Sequence, residues 1–202
     1  MKIIGVTGPS GSGKGTLCKA LEKLGYRHID TDALYHRLLV TCREMQQELI
    51  QNFGNEILQD GCISRDMLRP LVLGRGNEKN LALLNQITHK YVCRACIGII
   101  NEEKEKATKG VAIDAPLLFE ARLNKICDTV VCVLCDAERR IARIMARDSV
   151  SETSARTRIA AQKDAKFYCR YCDAVFWNDG APDAADAFAK DIDRALFTGG
   201  TT

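Results

Sequence analysis

No apolar run in this 202-residue sequence approaches the ~20 residues that a membrane-spanning helix needs. The stretch before the first glycine-rich motif is too short for a signal peptide, because Gly5 and that motif follow Met1 almost at once. The expectation is a cytoplasmic protein with no membrane partner. Charge of one sign is also scarce. Lys and Arg number 29 and Asp and Glu 26, a net +3, which is too mild for a nucleic-acid surface but leaves room for local arginines that meet a phosphorylated small molecule. No internal repeat is present. The Asn-Lys-x-Asp stretch of guanine-selective switches is missing, which argues against a non-catalytic nucleotide-switch module.

What is there begins with Gly8-Pro9-Ser10-Gly11-Ser12-Gly13-Lys14-Gly15-Thr16. An apolar run, Lys2 to Thr7, precedes it, and an amphipathic segment with Leu17, Ala20, Leu21 and Leu24 at helical spacing follows. The order is strand, glycine loop, helix, and the spacing is that of a phosphate-binding P-loop. Glycines let the backbone curl with its N–H groups inward, and the positive end of the helix adds to the cradle. Lys14 reaches outer phosphates as a mobile charge. Gly8, Gly11, Ser12, Gly13, Lys14, Gly15 and Thr16 are therefore nucleotide-binding candidates. Gly15 departs from the pattern, which has Ser or Thr there.

Gly25 ends the first helix, and Tyr26 to Ile29 forms a strand that delivers Asp30-Thr31-Asp32 at its carboxyl end, where open parallel sheets bind ligands. These aspartates read as catalytic or metal-binding, or as helix caps. A helix is expected from Ala33 to about Asn52, then a helix-turn region, a short helix from Arg65 and a long helical stripe through Leu84, Ile87 and Tyr91. Residues 33–109 thus read as a helical insertion without strands. Val111 to Ala115 is a strand with Asp114 near its end, placed like the acid that P-loop proteins use near Mg²⁺. Pro116-Leu117-Leu118-Phe119-Glu120 is an apolar turn that either meets a ligand or folds into the core. Thr129 to Cys135 is a central strand. Asp136 caps a helix bearing Arg139, Arg140, Arg143 and Arg147 on one face, and Ser151 starts another with Arg156, Arg158 and Gln162. The pair resembles a lid that closes over phosphates. Ala174 to Trp177 is the last strand and precedes a final helix. The alternation implies an α/β fold with five parallel strands and helices on both faces. Its core is 1–32, 110–136 and 173–202, its insertion about 33–109 and its lid about 137–172. Only the last few residues read as disordered.

Ten cysteines include C-x-x-C pairs at Cys93/Cys96, Cys132/Cys135 and Cys169/Cys172. Two such pairs suffice for a zinc site. The first and last fall in expected helices without Gly/Pro knuckles, and the middle pair points to opposite faces of a strand. Core thiols are the better reading.

The ordered set of motifs resembles the dephospho-coenzyme A kinase family of P-loop kinases. Val6-Thr7-Gly8 with Gly11-Ser12-Gly13-Lys14 is similar to its nucleotide loop, and Asp30-Thr31-Asp32 with His36 to its D-x-D-x-x-x-H stretch. Gly54 to Leu58, Asp60-Gly61, Ser64-Arg65 and Leu84 to His89 resemble its insertion. Pro116 to Glu120 resembles its coenzyme-binding loop, Arg147-Asp148 and Arg158 to Gln162 its lid. Asp173 and Asn178 flank the last strand as in the family, so the likeness spans about residues 3–180. It departs at Pro9, Ser10, Gly15 and Lys90. Gly-Lys-Gly-Thr is similar instead to adenylate-type kinases, so a nucleoside-monophosphate kinase is the nearest rival.

The resemblance implies ATP-dependent phosphorylation of the ribose 3′-hydroxyl of dephospho-coenzyme A, the last step of coenzyme A synthesis, with ATP and Mg²⁺. Asp32 is the candidate base, with Lys14 and Arg147 as catalytic partners and Arg143 on the nucleotide. Asp30, His36, His89, Leu117, Leu118, Phe119, Glu120 and Arg158 are acceptor-binding candidates. Thr16 and Asp114 are candidates for Mg²⁺, directly or through water. A monomer or weak homo-oligomer is expected.

Overall fold

The structure, a computed structural model, describes residues 1–74, 76–181 and 183–198; the expectation of disorder in the last few residues falls at the end that lies outside them. In chain order the elements are β1 Lys2–Thr7, α1 Lys14–Lys23, β2 Tyr26–Asp30, α2 Thr31–Thr41, α3 Arg43–Phe53, β3 Leu58–Gln59, β4 Cys62–Ile63, α4 Arg65–Val72 and α5 Glu78–Glu105. Then come β5 Gly110–Asp114, β6 Thr129–Leu134, α6 Ala137–Asp148, α7 Glu152–Ala160, α8 Ala165–Tyr171, β7 Ala174–Trp177 and α9 Ala184–Thr198. They form two compact units, one of residues 1–29 with those from 101 onward, the other of residues 30–100.

The first unit is built on the parallel sheet β2-β5-β1-β6-β7. Central β1 pairs in parallel with β5, Val6 opposite Asp114, and with β6, Val6 opposite Val131. Alternation along β6 explains the helices on both faces. Val131 and Val133 point into a core shared with Leu17 and Leu21 of α1 and Ala185 and Ala189 of α9. Cys132 and Leu134 point the other way, against Tyr168 of α8. The Tyr26 hydroxyl donates to Asp193 of α9 at 2.9 Å. Burial, then that carboxylate, push the phenol well above its usual range. The expected lid of two helices contains three, because Asp164 caps α8 by accepting from the Phe167 N–H.

The second unit packs α2, α3 and α4 with much of α5 around Met45, Leu49 and Ile57, all fully buried. Two expectations change here. The strandless insertion contains an antiparallel hairpin, Leu58 opposite Ile63 and Gln59 opposite Cys62. Its turn residues Asp60 and Gly61 both have positive φ, 52° and 77°, the geometry that Asp-Gly favours. The helix expected over 33–52 breaks at Cys42, whose backbone is extended. The Gln46 amide accounts for the break by donating to the Leu39 and Val40 carbonyls at 2.8 and 3.0 Å, acceptors that a continuous helix would occupy itself.

Candidate active site

The glycine loop runs between β1 and α1. Gly8 has φ 139°, and a Cβ on it would lie 2.3 Å from the Val133 carbonyl oxygen. Gly13, the N-cap of α1, has φ 94°, and a Cβ there would lie 2.0 Å from Asn178 Nδ2. Both positions need glycine for conformation and for space. The first turn of α1 carries no acidic residue, which suits an anion at the helix start. Lys14 Nζ donates to the Gly8 carbonyl at 3.1 Å. Ser12 is fully buried, and its hydroxyl has no hydrogen-bond partner among the described residues. A buried orphan hydroxyl inside such a loop fits a phosphate oxygen as its partner.

One face of α6 grips this loop from outside. Arg140 Nε donates to the Ser10 carbonyl at 3.0 Å, and Arg143 Nη1 to those of Gly11 and Ser12 at 3.2 Å each. Arg147 Nη2 donates to Ser10 Oγ at 3.4 Å. Gln162 Oε1 accepts from the Ser10 N–H and from Arg140, and the Asn178 amide donates to the Ser12 carbonyl at 2.8 Å. Carbonyls held this way leave the loop's N–H groups as the donors an anion meets. Arg140, Gln162 and Asn178 were not among the sequence-derived site residues. Arg140 was visible on the arginine face; Gln162 and Asn178 showed only within motifs. Arg147 also makes a two-point contact with Asp148, at 2.7 and 3.0 Å, and Arg158 Nη1 bonds the same carboxylate. The Arg147 hydrogen bond, then that of Arg158, hold the Asp148 carboxyl at about 2.

At the end of β5, Asp114 Oδ2 lies 3.9 Å from His28 Nε2, and Cys18 contributes a thiol to the same cluster. The group as a whole offers sulfur, nitrogen and oxygen donors, unlike the all-oxygen shell that Mg²⁺ takes. Thr16 is exposed in the first turn of α1. The apolar turn divides in two. Leu118 has no exposed surface and packs against Gly5, so it belongs to the core and not to an acceptor site. Leu117 is 44% exposed. Phe119 meets Phe167 edge-on at 5.7 Å, and Glu120 is exposed.

In the helical unit, Asp30 caps α2 by accepting from the Ala33 N–H at 2.9 Å, so the cap is Asp30 and not Asp32. Asp32 is exposed in the first turn, and His36 is one turn further along the same face. His36, Tyr35, Leu39, Leu81, Arg65 and Arg69 are among the residues lining a cleft of about 630 Å³. His89, half-buried on α5, is not part of its wall. All ten cysteines are free thiols, and among the described residues no C-x-x-C pair joins a cluster of three metal-ligating groups.

A family model described as dephospho-CoA kinase matches residues 2–183. The chain belongs to the dephospho-CoA kinase family. Its relatives include the dephospho-CoA kinase of Dehalococcoides mccartyi, 36% identical over 89% of each chain. That of Carboxydothermus hydrogenoformans is 35% identical over 90% of this chain and 87% of its own. The crystal structure of TT1252 from Thermus thermophilus superposes with a TM-score of 0.78 at 27% identity, covering 100% of this chain and 98% of the other. Dephospho-CoA kinases are phosphotransferases, and the chain is an enzyme of that class.

Proposed function

We propose that the protein transfers the γ-phosphoryl group of ATP to the ribose 3′-hydroxyl of dephospho-coenzyme A, the last step of coenzyme A formation. The observation that carries this reading is the glycine loop, with its buried orphan Ser12 hydroxyl and its carbonyls held by arginines, in a chain matched to the dephospho-CoA kinase family from residue 2 to 183. Phosphoryl transfer asks a protein for positioning and charge stabilisation more than for covalent chemistry. Loop N–H groups and Lys14 hold the β and γ phosphates. Arg143 supports the loop, and Arg147 meets the migrating group. Asp32 accepts the hydroxyl proton as the new O–P bond forms and the bond to ADP breaks. His36 and the cleft of the helical unit bind the acceptor, with Arg65 and Arg69 as its cationic side. His89, Leu117, Phe119, Glu120 and Arg158 remain acceptor candidates. Asp30 has its carboxylate engaged as a cap, which leaves it a weaker one. Magnesium, when bound, would neutralise phosphate charge, with Thr16 and Asp114 as the residues that would hold it, directly or through water.

The nearest rival, a nucleoside-monophosphate kinase, phosphorylates a phosphate and has less need of a carboxylate base. Assays of ADP release with dephospho-coenzyme A, with AMP and without acceptor separate the two. Only the first should turn over. Asp32→Asn should lower that turnover about a hundredfold or more while ATP still binds. Near-normal turnover in this variant removes Asp32 from the mechanism.

A further inference from the structure

We propose that Cys18, His28 and Asp114 form a binding site for one Zn²⁺ ion. Cys18 lies on the sheet-facing side of α1 and is fully buried. His28 is on β2 and Asp114 ends β5, its neighbour in the sheet. One ligand atom from each, sulfur, nitrogen and oxygen, lies within 4.8 Å of the other two. Ligands of tetrahedral zinc stand roughly 3.5 Å apart, given its bond lengths, so a closure of about 1 Å completes the site. The side chains of His28 and Asp114 are only 20% and 14% exposed. Glu22, one helical turn beyond Cys18, brings Oε1 to 4.0 Å from His28 Nδ1. That carboxylate adds favourable charge beside the imidazole, although it lies beyond hydrogen-bond distance. A thiolate and a carboxylate together neutralise a divalent ion, which favours it in a part-buried position. The mixed donor set selects a borderline cation such as zinc over magnesium or calcium. Three protein ligands leave a fourth position for water. On binding, the zinc–sulfur bond forms and the thiol proton passes to solvent. The site stands whether or not dephospho-coenzyme A is the acceptor.

The test uses the full chain, kept reduced and freed of metal with a chelator, then titrated with Co²⁺ as a visible stand-in for Zn²⁺. One equivalent should bind with a thiolate-to-cobalt charge-transfer band, and Zn²⁺ should displace it. Cys18→Ser should abolish the band and weaken Zn²⁺ binding at least about tenfold. His28→Gln should weaken binding similarly while keeping the band. A Cys132→Ser/Cys172→Ser variant should behave like the parent, which separates this site from the other thiols. Circular dichroism checks folding; if Cys18→Ser does not fold, His28→Gln decides alone. A band that survives Cys18→Ser, unchanged zinc affinity in His28→Gln, or no cobalt binding overturns the site.

Discussion

The sheet unit holds its functional loop with directed hydrogen bonds, whereas the helical unit holds its cleft with apolar packing. Around Ser10 to Ser12 the contacts are guanidinium and amide groups on backbone carbonyls. Around the cleft they are Leu39, Ile63, Leu68, Val72 and Leu84, with charge confined to its exposed side. A phosphate tail is the same in every ATP molecule, so its site is specified to within a hydrogen-bond length by backbone geometry. Under the proposed function a long acceptor would meet a shaped wall, where volume matters more than angle.

If that contrast holds, each unit should fail in its own way. The largest effect is expected from Leu49→Ala, which empties a fully buried position in the helical unit. It should cost about 2–5 kcal/mol of stability, read by denaturant titration, with cleavage sites in 30–100 opening first in limited proteolysis and ATP affinity retained. A parallel loss of ATP affinity would break the comparison. Gly13→Ala forces a left-handed backbone on alanine and drives a methyl into Asn178. The backbone strain alone is about 1–2 kcal/mol, and the variant should lose ATP binding, measured by calorimetry, with little change in the helical unit. Arg69→Ala sits on the cleft. It should raise KM for the acceptor about tenfold with kcat nearly unchanged; a fall in kcat instead would move Arg69 into the chemistry. The smallest effect concerns pH. Asp148 is held near 2 in the folded chain against an ordinary 3.8. Its stabilising contribution is therefore complete above about pH 4 and is lost as pH falls through about 2. Thermal melts of Asp148→Asn should lack that part of the acid dependence.

Much of the fold was legible because periodicity is a local property. The alternating or wholly apolar runs at 2–7, 111–115, 129–135 and 174–177 fall on strands of the sheet. The glycine loop was legible for the same reason, since a strand, a turn and a helix start lie within nine residues of one another. The break at Cys42 was not, because it depends on one glutamine side chain folding back on two carbonyls. The β3–β4 hairpin was hidden by its two-residue strands, although Asp60-Gly61 carried the turn signal. Leu117 and Leu118 could not be told apart in sequence; their opposite exposures are set by what lies above and below the turn.

The order of residues alone determined that this chain carries a glycine-rich loop between a strand of a parallel sheet and a helix, because the loop's geometry is encoded in closely spaced glycines and a lysine. Tertiary structure decided which groups hold that loop. Arg140, Gln162 and Asn178 lie 130 to 166 positions from the residues they bond, and no spacing rule reaches across such a gap. It also decided the company of Asp114, which Cys18 and His28 join from a helix and a neighbouring strand. Side chains from separate elements share a site only once the sheet has formed and the helix has packed on its face.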